Sequence, residues 1–245
     1  MRSESEPFRR PQGWAIITLA CITGFGLLAG CDSDSGTSSH PRTSSPEPLV
    51  TPTTAQEVRD LTKEIPLEGN AMVPLRWRLL TLKDPALEAP LLAARQYITL
   101  RRILHTDEYP SRWIPHLLAV GEEPSERHVE NIQKESPLPW EERLIGPSWI
   151  WIMTAKTEGT GRASITYCTD DGWQGKPAVP PTSRMRTGGV ETVEVSLLKD
   201  FPGGPVWKVT KLWPSDRLTI NKPYVKQCTA WWKTHTSTEG WTVPT

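Results

Sequence analysis

Four cysteines, five histidines and 28 acidic side chains are the groups in this 245-residue chain that can hold metal, form covalent bonds or move protons. Their spacing decides which. No Cys-x-x-Cys occurs and the histidines are scattered without ligand spacing, so no metal site is expected. The chain contains no Gly-x-Ser-x-Gly and no phosphate-binding loop, so no motif assigns a catalytic residue or a cofactor. The thiols remain: Cys21, Cys31, Cys168 and Cys228. What each can do depends on where the chain resides.

The first thirty residues address that question. Arg2, Arg9 and Arg10 make a basic start, and Trp14 to Leu28 then runs without a charge. Such a run matches a secretory signal segment and is too short to span a bilayer comfortably. It ends in Leu28-Ala29-Gly30-Cys31, the box at which bacterial lipoproteins are cleaved and lipidated. Small Ala29 and Gly30 let the backbone enter a signal peptidase, and the Cys31 thiol takes a diacylglyceryl group. One acyl chain holds a protein marginally, whereas two anchor it, at roughly 0.8 kcal/mol per buried methylene. The expected partner is therefore the lipid bilayer, and the expected location the extracytoplasmic face of the cell membrane. Cys21 leaves with residues 1–30. Cys168 and Cys228 are then an even pair in an oxidising compartment, which a disulfide satisfies; a pair of free thiols is the rival.

From Asp32 to Thr54 the chain is rich in Ser, Thr and Pro with little to bury, so residues 31–54 read as a disordered tether. Balanced charge, 28 basic against 28 acidic residues, supplies no field that would draw the chain onto nucleic acid. Hydrophobic content of 37% with 24 prolines agrees with an unpacked segment, while twelve tryptophans call for a real core in the remainder.

Residues 55–245 read as one domain. AQEVRDLTKEI suggests a short helix, and LRWRLLTLK a strand or an extended lead-in. Asp84-Pro85 is a helix start, and Ala93, Tyr97, Leu100 and Leu104 follow at helical spacing, with Pro90 marking a kink or the true beginning. Two shorter helical pieces flank Gly121 and Pro124. After Pro147 the texture turns to strands: SWIWIMTAKT, ASITYCT, GVETVEVSLLK and PVWKVTKLW. Helices followed by a meander imply an α+β fold, a curved antiparallel sheet with helices on one face.

The order of parts resembles actinobacterial lipoproteins with a nuclear transport factor 2-like domain, related in shape to ketosteroid isomerase and SnoaL-like cyclases. The resemblance rests on the box and tether, DPALEA…AARQY, LLAVGEEPSERHVENIQKE, SWIWI, ITYCTDDG and VWKVTKLW followed by a cysteine, and covers about residues 84–230. It implies a cone: a bent sheet wrapped around a long helix and open at one end into a pocket. Enzymes of that shape place a carboxylate or histidine base against tyrosine or acid donors. The candidates are Tyr97, His105, Asp107, Tyr167, Asp170 and Asp171, each with a plainer structural role as core, helix end or turn. Strand alternation puts Trp149 and Trp151 on one face of their strand and gives Trp207 and Trp213 the same parity on a later strand. Tyr97, Tyr167, Trp149 and Trp151 are the pocket residues this reading selects. The expected function is a tethered, non-catalytic domain that binds a small apolar ligand or an envelope protein. The alternative is an isomerase or dehydratase using the same cone.

Overall fold

Thr54 sets the first element by satisfying donors that a helix start leaves open. Its side chain accepts from the Glu57 amide at 3.3 Å, and the Glu57 carboxylate accepts from the Thr54 amide at 3.1 Å. This reciprocal cap opens α1 (Ala55–Lys63). Thr54→Ala should cost about 1 kcal/mol, read as a lowered urea midpoint at unchanged slope. The computed structural model describes residues 50–107, 110–134, 139–177, 179, 181, 183, 188–213 and 218–235. The expected signal segment, Cys31 and the expected tether up to residue 49 lie outside them.

After α1 come β1 (Leu75–Arg78), α2 (Glu88–Ile103), α3 (Ile114–Val120) and α4 (Glu123–Lys134). Asp84 caps the 3-10 turn Pro85–Leu87 that leads into α2, its carboxylate accepting from the Ala86 amide at 3.0 Å. Pro90 falls in the first turn of α2, where its missing N–H is not needed, so proline and helix are compatible there.

The strands β2 (Ser148–Thr157), β3 (Arg162–Asp170), β4 (Gly189–Leu198) and β5 (Val206–Trp213) form an antiparallel meander. Gly159 and Gly161, at φ 96° and 75°, make the β2–β3 turn. The sheet is not wholly antiparallel as the sequence suggested. It is a five-stranded mixed sheet in the order β1-β2-β3-β4-β5, with β1 parallel to β2. The intervening helices return the chain to the end from which a parallel neighbour must start.

Along α2, Tyr97, Ile98, Leu100 and Ile103 are fully buried and pack on Ile150, Ile152, Ile165, Val193, Val195 and Val209 of the sheet. Helices do not stay on this one face, which corrects the second expectation. The helix α5 (Leu218–Trp232) follows the meander and covers the opposite face, where Cys228 and Trp231 meet Met153, Cys168 and Val190. Cys168 and Cys228 form a disulfide with Cα atoms 5.7 Å apart. Bulges interrupt both outer parts of the meander. Between Ile152 and Thr154 on β2, and opposite Glu194/Val195 on β5, one extra residue enters the ladder and reverses the alternation beyond it.

Candidate functional site

Strand register brings Tyr167 and Glu191 side by side on the α2 face, and the last turn of α2 presents Arg101 and Arg102 to them. The Tyr167 hydroxyl donates to Glu191 Oε2 at 2.5 Å. Arg101 Nη1 donates to the same oxygen at 2.9 Å and to the Tyr167 hydroxyl at 3.2 Å. Arg102 Nη1 donates to Asp171 Oδ2 at 2.6 Å and lies beside Glu191, with Arg102 Nη2 3.6 Å from Oε2. The Ser148 hydroxyl donates to the other Asp171 oxygen.

Electrostatics decide what this cluster can do. Burial opposes ionisation of Glu191, but the guanidiniums of Arg101 and Arg102 and the Tyr167 hydroxyl outweigh it and hold the carboxyl down to about 2. Tyr167 moves the other way: burial first, then the Glu191 charge, pushes its hydroxyl well above the ordinary range. Burial would pull Arg101 down, yet the Glu191 and Tyr167 neighbours hold its pKa above the usual value. At neutral pH the cluster is a fixed array of donors around an ionised carboxylate. A carboxylate so stabilised is a weak proton acceptor.

Tyr97 sits one turn before Arg101, fully buried, with burial pushing its hydroxyl up to about 12. Its ring meets His128 edge-on at 6.5 Å, and its hydroxyl has no hydrogen-bond partner among the described residues. Asp107 accepts from Arg112 and from the Trp113 indole, both at 2.6 Å, and fixes the turn after α2; His105 belongs to the 3-10 turn Leu104–Thr106 before it.

The two tryptophans selected with the tyrosines stand on the other side of the sheet. Trp149 stacks on the His235 ring at 4.7 Å, and Trp151 lies under the Arg78 guanidinium at 4.3 Å and against Trp231 at 5.7 Å. Asp170 is fully buried, 2.6 Å from His235 Nδ1, and also accepts from the Gly172 amide. Tyr97 and Tyr167 thus belong to the α2 core, and Trp149 and Trp151 to the α5 layer. The structure brings each pair together but does not bring the pairs to one cavity.

A site that the sequence motifs do not mark lies between β3, β4 and β5. Glu158, Arg162, Ser164, Thr192, Glu194 and Trp213 line a cleft of about 290 Å³. Ser164 faces Glu194 and Thr192 faces Trp213 across the ladders. Ser164, Thr192 and Glu194 share the alternation of Cys168 and Val190, so the cleft is on the α5 side. Trp207 packs against the α2 core, whereas Trp213 lines this cleft. Equal parity would have kept both on one face; the bulge on β5 separates them. Glu194 pairs with Lys211 at 3.5 Å, while Glu158, Arg162 and Ser164 have no side-chain partner among the described residues.

Among the described residues no group of His, Cys, Asp and Glu is arranged to hold a metal ion, and no helix is long and apolar enough to cross a membrane. No family model matches the chain, and no curated protein or solved structure does either.

Proposed function

We propose that this chain is a lipoprotein of the extracytoplasmic membrane face whose folded domain binds a ligand or envelope partner without catalysing a reaction. In this reading residues 1–30 are removed, Cys31 carries the diacylglyceryl anchor, and residues 31–54 space the domain from the bilayer. The domain itself is read as a nuclear transport factor 2-like cone built around α2. Support for the address comes from Leu28-Ala29-Gly30-Cys31 and the Ser/Pro-rich chain after it. The non-catalytic part is carried by one observation. The carboxylate that meets a tyrosine, Glu191, is neutralised by Arg101 and held ionised far below neutral pH.

The same contact is what the alternative, an isomerase or dehydratase, would use, since a carboxylate does lie within 2.5 Å of Tyr167. An enzyme of that type needs a base whose pKa approaches working pH, and Arg101 and Arg102 oppose that. Labelling cells with a tagged fatty acid tests the address. Wild type should carry label and fractionate with membranes, and Cys31→Ala should lose both. Equal labelling of the two forms would remove the anchoring claim.

A further inference from the structure

We propose that the cleft between β3, β4 and β5 binds a neutral pyranose unit of a polysaccharide. Its lining supplies what such a ligand requires and little that others would use. A sugar ring has an apolar C–H face and a rim of paired hydroxyls. Trp213 is an aromatic wall for the face, and Glu158, Glu194, Ser164 and Arg162 are donors and acceptors for the rim. Glu158 and Arg162 are exposed and Ser164 is half-buried, so each can turn a polar atom toward a ligand in the cleft.

Charge narrows the class. Two carboxylates, Glu158 and Glu194, are balanced by Arg162 in the lining and by Lys211, which lies 3.5 Å from Glu194 and 6.0 Å from the centre of the Trp213 ring. Among the described residues the lining has no excess cation to capture phosphate or a sugar acid, and no excess anion for an amine. Size narrows it further. A volume of about 290 Å³ is at the small end of ligand pockets and suits one ring, with the side open to solvent leaving room for a chain to continue.

The position is also suitable. The lining side chains stand on paired strands and on the β2–β3 turn, so their spacing is set by ladder register and not by a mobile loop. The half-buried Ser196 and Thr210 hydroxyls, 3.0 Å apart, extend the polar surface along the same strands. That the polysaccharide belongs to the cell envelope rests on the extracytoplasmic reading; the ligand chemistry does not.

The test uses the full-length protein in a detergent without a sugar headgroup, with cellobiose and N,N′-diacetylchitobiose as probes. Saturation-transfer NMR should show transfer to ring protons of at least one disaccharide. Trp213→Ala should abolish it, and Glu194→Gln should weaken binding about tenfold. Trp213→Phe, which keeps a flat ring, should retain part of it and guards against a folding defect in the alanine variant. No transfer from either sugar, or equal transfer in wild type and Trp213→Ala, overturns the proposal. Cys31→Ala should bind as wild type does. Loss of lipid label with binding intact separates the anchoring claim from this one, and failure of binding in a correctly lipidated protein sinks this one alone.

Discussion

Cys228→Ser is expected to lower the unfolding free energy by about 4 kcal/mol. The disulfide closes a loop with a sequence separation of 60 residues, and in the chain-entropy view a loop of that length restricts the unfolded ensemble by about this amount. Domains of this class have about 5–15 kcal/mol in all, so the loss is a large share. The native state suffers too. Cys228 is fully buried between Trp231 and Val190, and α5 rests on β4 through few other apolar residues. Urea unfolding followed by tryptophan fluorescence should show a much lower midpoint. Trp149, Trp151, Trp231 and Trp232 surround the crosslink, so the signal reports its own layer. A midpoint within error of wild type would mean that α5 holds its place without the crosslink.

The second large effect belongs to Glu191. Glu191→Ala leaves Arg101 and Arg102 facing the Tyr167 hydroxyl with one buried anion fewer, and should cost about 3 kcal/mol, as removing one member of a buried pair does. The pH dependence identifies the cause. The carboxyl is depressed in the fold, to about 2 from 4.5, so it binds its proton less readily folded than unfolded. Its contribution is fully present above the ordinary carboxylate value and is lost as pH falls through that value toward about 2. Urea midpoints at a series of pH values should therefore fall more steeply below 4.5 in wild type than in Glu191→Gln, which keeps the shape without the charge. Parallel curves for the two proteins would show that the carboxylate does not stabilise the fold through its charge.

The readable parts of this fold were those whose cause is local. The Asp84 cap, the helical spacing of Tyr97 and Leu100 and the existence of the four strands β2–β5 all follow from neighbours in sequence, and all are present. What escaped has distant causes. Four residues of β1 become a strand because β2 lies beside them, and nothing in LRWR specifies a parallel partner. The helix α5 carries Pro223 within it, which masks its periodicity. Tyr224, Cys228 and Trp231 at helical spacing were the signal that could have revealed it, and with it the second layer. The bulges are the clearest case. A single extra residue on β2 and on β5 reverses which side chains face which layer, so parity counted along the whole strand misplaced Trp213 relative to Trp207. The candidate cleft was invisible for the same reason, since it assembles from three strands and depends on one of those reversals. The tyrosine–carboxylate contact was half legible: Tyr167 was selected, whereas Glu191 and the two arginines meet it only through strand register and helix packing.

The hydrogen bond from the Ala55 amide to the Pro202 carbonyl, 2.7 Å long, has a mechanical meaning. It fastens the first turn of α1 to the hairpin joining β4 and β5, while the crosslink to α5 is near Val190 at the far end of β4. Tension arriving along the chain before Thr54 therefore loads α1 and the hairpin tip first. Ala55 and Val58, which seat α1 on Ala119 and Val206, would be the first apolar contacts to part under such a pull.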